Sequence, residues 1–134
     1  MIRVLLVDDQ ALVRAGFAKL LESESSVTVV GEAANGRDAV ESYRELRPDL
    51  VTLDLIMPVM GGFEALRELR ALDPEARVVI VSAIDQRQAL VEAIAAGAID
   101  FIVKPFERER VVGVLTKVGA SIDAARGLSS TRPS

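Results

Sequence analysis

Apolar residues run along this chain in two alternating rhythms. Short, largely apolar runs at residues 2–7, 27–30, 50–58, 77–82 and 100–103 carry the signature of buried strands. Between them the apolar positions open to helical spacing: Val13, Phe17, Leu20 and Leu21, then Ala39, Val40, Tyr43 and Leu46, then Phe63, Leu66 and Leu69. A last stripe of Val111, Leu115, Val118 and Ile122 predicts a fifth helix running on to about Arg126. Ser25-Ser26, Asn35-Gly36, Pro48, Gly61-Gly62 and Asp73-Pro74 punctuate the boundaries. Asp85 with Gln88 three residues on has the form of a capping box opening helix four, which Gly97 ends.

Five strands alternating with five helices predict an α/β fold, a doubly wound (βα)5 five-stranded parallel sheet with helices on both faces, joined by right-handed crossovers. All the strand carboxyl ends of such a sheet lie on one edge, where α/β proteins bind ligands. That edge should collect Asp8-Asp9, Asp54, Ser82 and Lys104 from four strands. Asp54 is the pivot, because the most apolar run delivers it and then breaks at Pro58 and Gly61-Gly62.

Composition narrows the chemistry. With neither Cys nor His, the chain has no disulfide, no thiolate nucleophile, no usual zinc site and no histidine-assisted catalysis, so a metal must bind through oxygen. A net charge of −4 and the absence of a clustered basic face argue against direct nucleic-acid binding. No apolar run reaches membrane length and no signal-peptide pattern opens the chain, so the expectation is a cytoplasmic protein without membrane contact.

Converging carboxylates repel one another and call for a cation. Mg2+, with Mn2+ as an alternative, fits oxygen donors and leaves positions open for a phosphate oxygen. Asp9 and Asp54 would hold it directly, Asp8 through water, and the Ile56 backbone carbonyl could add a ligand. An ionised aspartate can attack phosphorus without a general base, and Lys104, with the Ser82 hydroxyl or a backbone amide near Ala83, would neutralise the phosphoryl oxygens. Taken singly these residues read as caps, turns and surface charges. Their conjunction on four strand ends points to phosphoryl chemistry.

Over residues 1–120 the chain resembles the receiver domain of two-component response regulators, the CheY-like superfamily with its flavodoxin-like fold. The matching motifs are Val7-Asp8-Asp9, Leu53-Asp54-Leu55-Ile56-Met57-Pro58, Met60-Gly61-Gly62, Ser82-Ala83, Gly97-Ala98 and Lys104-Pro105-Phe106. The resemblance implies that Asp54 accepts a phosphoryl group from a sensor histidine kinase or phosphotransfer protein, that Lys104-Pro105 is cis, and that Phe101 is a switch aromatic responding to Ser82. It implies an output protein docking on helix four, strand five and helix five, and a signalling switch rather than a turnover enzyme. Residues 1–47 look like LuxR/NarL-type regulators and residues 77–118 like single-domain chemotaxis regulators. A stand-alone monomeric receiver is the reading adopted; the alternative is a receiver cut from a DNA-binding regulator, with a phosphorylation-induced dimer. A phosphatase of the haloacid dehalogenase type is disfavoured because Asp8-Asp9-Gln10-Ala11-Leu12 lacks its Asp-x-Asp-x-Thr pattern. Ala83, Phe101, Val112 and Val114 form the expected docking patch. Residues 121–134 are expected to extend helix five and end in a flexible tail, and Ile56 and Ile84 to slow loss of the phosphoryl group by crowding the attacking water.

Overall fold

The elements follow the predicted order: β1 (Ile2–Val7), α1 (Ala11–Glu22), β2 (Val27–Ala33), α2 (Gly36–Leu46), β3 (Leu50–Leu53), α3 (Gly62–Leu72), β4 (Val78–Ala83), α4 (Arg87–Ala95), β5 (Asp100–Lys104) and α5 (Arg108–Ser130). The computed structural model describes residues 1–83 and 87–130, the last five of these as backbone alone. All neighbouring strands pair in parallel, in the order β2-β1-β3-β4-β5. The reversal of strand order puts the carboxyl ends of β1 and β3 side by side, the crevice at which open α/β sheets bind ligands.

Strand alternation divides the core. Val4 and Leu6 of β1 join Phe17, Leu21, Val111 and Val118 under α1 and α5, whereas Leu5 and Val7 join Val40, Leu66, Leu69 and Leu90 under α2, α3 and α4. The central strands therefore need apolar residues on both faces, which is why they read as near-continuous apolar runs. Among the described residues, no helix is long and apolar enough to cross a membrane.

Several boundaries differ from the sequence reading. β3 closes at Leu53, so residues 54–58 of the apolar run form a loop rather than strand. β2 continues three residues past Val30, because Gly31, Glu32 and Ala33 pair with Leu5, Leu6 and Val7 after a register shift. Helix α5 runs to Ser130, four residues beyond Arg126. The predicted cap residue Asp85 and Ile84 lie outside the described residues, as do residues 131–134.

Val114 requires a correction. It is 1 % exposed and packs in the α1/α5 core, so it cannot belong to a docking patch. Positions 111, 114, 115 and 118 all fall on one helical face, and the stripe is one residue wider than expected.

Candidate functional site

Two acidic residues are anchored through their backbone to the strands beside them. The Asp54 N–H donates to the Val7 carbonyl at 3.1 Å, and the Asp8 N–H donates to the Ala33 carbonyl at 3.1 Å. Each ladder thus continues one residue past its strand and fixes where the carboxylate leaves the sheet. Asp8 and Asp54 are 5 % and 8 % exposed, whereas Asp9 faces solvent. One carboxylate oxygen from each of the three comes within 4.8 Å of the others.

Lys104, at the end of β5, reaches into this cluster. Its Nζ donates to Asp8 Oδ2 at 2.7 Å and to Asp54 Oδ2 at 3.2 Å. The remaining oxygens are held locally, Asp8 Oδ1 by the Gln10 N–H at 2.9 Å and Asp54 Oδ1 by the Ile56 N–H at 3.2 Å. Burial pushes the Asp54 carboxyl above the ordinary range; the Ile56 N–H and the Lys104 charge oppose that rise, and Asp8 adds to it. Burial alone would pull the Lys104 ammonium down, but its bond to Asp8 and the charge of Asp54 outweigh it, so its pKa rises. The lysine stays protonated, and its charge offsets part of the cost of keeping the neighbouring Asp54 ionised.

The loop after Asp54 depends on close backbone approach. A Cβ on Gly62 would lie 2.3 Å from the Asp54 carbonyl oxygen, so only glycine lets α3 begin there. The Gly62 N–H then donates to the Leu55 carbonyl at 3.0 Å. Val59 takes a positive φ of 68°, a strained position for a β-branched residue, where the Met60 N–H turns back to the Pro58 carbonyl at 2.8 Å.

The result is a shallow cavity of about 230 Å³ lined by Asp9, Gln10, Asp54, Ile56, Ala83 and Lys104. Ser82 is fully buried and does not line it. The Lys104-Pro105 peptide is cis, as the resemblance implies. Phe101 lies two residues before Val103, the register partner of Ser82, and its ring sits half-buried under the Arg110 guanidinium at 5.6 Å.

Two further apolar grooves open on the surface, the first sharing Lys104 with the site. One, of about 470 Å³, is formed by Leu12, Val13, Gly16, Lys104, Pro105 and Phe106, and Leu12 is 88 % exposed in it. The other, of about 560 Å³, lies between α4 and β5 and contains Val91, Ile94 and Phe101. The sequence reading passed over Arg14, which packs against the end of β1; no motif announces a side chain whose partner is a backbone carbonyl.

A family model described as the response regulator receiver domain matches residues 4–116. The chemotaxis protein CheY of Thermotoga maritima is 49 % identical over 116 residues, 87 % of this chain and 96 % of that protein. The CheX-CheY-BeF3-Mg+2 complex from Borrelia burgdorferi superposes with a TM-score of 0.83 at 34 % identity, covering 87 % of this chain and 88 % of its counterpart. A LuxR-family two-component response regulator from Aurantimonas gives 0.84 at 35 % identity, covering 90 % and 86 %.

Proposed function

The chain belongs to the response regulator receiver family, the phosphorylation-dependent switches of two-component signalling, and we propose that Asp54 is its phosphoryl acceptor. The observation that carries this reading is a pair of nearly buried carboxylates on adjacent strand ends, with the protonated Lys104 between them and a small cavity in front. Phosphoryl transfer needs positioned charge more than covalent help from the protein. An Asp54 carboxylate oxygen attacks the phosphorus, the phosphorus–nitrogen bond of a donor phosphohistidine breaks, and the imidazole takes that electron pair. No proton leaves Asp54, so the absence of histidine from the chain is no obstacle.

The donor set fits a hard divalent cation: three clustered carboxylates oppose one ammonium. Asp8, Asp9 and Asp54 would hold Mg2+, with the Ile56 carbonyl as a further ligand and Mn2+ as a substitute. When bound, the ion neutralises the negative charge that the phosphoryl group brings to the acids. Lys104 then exchanges its carboxylate partners for a phosphoryl oxygen.

A phosphoryl group adds about −1.5 to −2 charges. Drawing the Ser82 hydroxyl toward it would reshape the buried space around Ser82 and release the Phe101 ring, altering the groove between α4 and β5. We place the docking of an output protein on that groove, which keeps Phe101 of the expected patch and adds Val91 and Ile94, whereas Ala83 lines the acidic cavity and Val112 a separate hollow with Ile2, Glu24 and Val27. The donor histidine kinase or phosphotransfer protein would rest on the groove beside Leu12, which opens next to Lys104. Phosphoryl transfer to and from Asp54 is then a signalling event, not turnover of an external substrate. The 49 % identity to a chemotaxis relative along 96 % of that protein's length favours a chemotaxis-like switch over a promoter-binding regulator. Residues 121–130 continue α5 as an extension of the receiver.

Beryllofluoride with Mg2+ mimics the aspartyl phosphate and tests this reading. Amide shifts spreading from Asp54 to Phe101 and α5 in the wild type, but not in Asp54→Ala, support it. No response in either protein refutes it. A protein that stays monomeric on sizing fits the stand-alone switch, whereas a new dimer fits a transcription regulator's receiver.

A further inference from the structure

We infer that Arg14 is a positioning residue for the metal-binding turn, an inference that rests on the reading of Asp8 and Asp9 as Mg2+ ligands. β1 ends at Val7, and the Asp8 carbonyl points past the last rung of the β1 ladder. Arg14, one turn into α1, reaches back and donates from Nη1 to that carbonyl at 2.5 Å. Its Nε donates to Glu32 Oε1 on β2 at 2.9 Å. The guanidinium is therefore held from two sides, and its side chain is 18 % exposed.

The geometry links this clamp to the acids. The Asp8 carbonyl belongs to the Asp8–Asp9 peptide, so fixing its oxygen fixes the plane from which the Asp9 side chain departs. The Asp8 N–H is already tied to Ala33, and the Asp8 carboxylate to Gln10 and Lys104. With Arg14 in place, the Asp8 carbonyl is held as well, and with it the peptide that joins the two acids. Without it, the Asp8–Asp9 peptide is free to turn and Asp9, the exposed ligand, loses its aim.

Charge alone would argue the other way. A guanidinium beside an acidic site repels a divalent cation, so removing it should tighten binding. Glu32 partners Arg14 and offsets that charge, leaving the guanidinium to act through its shape. Arginine suits the task because its planar fork serves two acceptors in fixed directions, which an ammonium on a flexible stem does not. Partners that orient metal ligands are typically worth 10–100-fold in affinity.

The test is titration of the intact protein with Mg2+ alone, read by amide shifts, on wild type, Arg14→Ala and Arg14→Lys, with a thermal melt establishing that each is folded. Positioning predicts that Arg14→Ala binds Mg2+ roughly ten-fold more weakly, that Arg14→Lys recovers only part of the loss although it keeps the charge, and that the Asp9 and Gln10 amides exchange faster. If Arg14→Ala binds Mg2+ as tightly as the wild type or more tightly, the inference is overturned. Should Arg14→Ala not fold, Arg14→Lys decides in the same way, with wild-type affinity counting against positioning. A wild type that binds no Mg2+ would instead refute the metal assignment on which the inference stands.

Discussion

Replacing Lys104 by methionine keeps most of the length of the side chain and removes its charge, leaving two nearly buried carboxylates facing each other. At 2.7 Å and 3.2 Å and an effective dielectric constant of about 20, the gross attractions to Asp8 and Asp54 are about 6 and about 5 kcal/mol. Most of this only offsets the cost of taking three charges out of water. Removing one partner of a buried pair typically costs about 3–5 kcal/mol. The lysine side chain is 22 % exposed, so water softens the loss, and we expect about 2–3 kcal/mol. For a domain of this size that lowers Tm by roughly 10 °C in EDTA. Mg2+ should then raise Tm further in Lys104→Met than in the wild type, because no ammonium competes for the same oxygens. The assay is a calorimetric melt of both proteins with and without Mg2+. Equal melting temperatures in EDTA, or an equal gain from Mg2+, would refute the reasoning.

Tyr43 joins α2 to the end of α3 through a 2.8 Å bond from its hydroxyl to Asp73 Oδ2. That bond, with the Glu75 N–H, holds the Asp73 carboxyl below its ordinary range, so its stabilisation is full above about pH 4 and fades as pH falls through the folded value. Tyr43→Phe should therefore cost about 1 kcal/mol at neutral pH in urea melts, and a penalty that does not shrink in acid would contradict the assignment. Gly62→Ala should destabilise by about 1–3 kcal/mol through overpacking against the Asp54 carbonyl and also weaken Mg2+ binding, since relief of the clash displaces Asp54; unchanged melts would show that the loop yields freely. Ile56 is 62 % exposed at the mouth of the cavity, and exchanging it for asparagine should give the attacking water a partner and hasten decay of the phosphorylated protein. An unaltered half-life would dismiss that role.

The sheet was legible because its central strands are covered on both faces, so that Leu5, Leu6, Val51, Leu53, Val79 and Ile80 stand in runs interrupted in β3 by Thr52 alone. The same logic located Asp8, Asp54 and Lys104, since a charge that ends such a run must stand at the carboxyl edge. The last residues of β2 were hidden because Gly31 and Glu32 break the apolar run, and only pairing with Leu5 and Leu6 makes them strand. Val114 looked peripheral because a stripe read at every fourth residue is narrower than the face α5 buries. Arg14 left no trace, for its partners are a carbonyl six residues back and Glu32 across the fold. Pairing between a side chain and a distant backbone group follows from the assembled tertiary structure, and hydrophobic periodicity carries no record of it.

The central claim is that Asp54 takes a phosphoryl group. Intact mass after incubation with acetyl phosphate and Mg2+ should show one added phosphoryl group on the wild type, mapped to Asp54 by borohydride reduction, and none on Asp54→Asn or in the presence of EDTA. A wild type that gains no mass under these conditions, or an Asp54→Asn variant that gains the same mass, would contradict it.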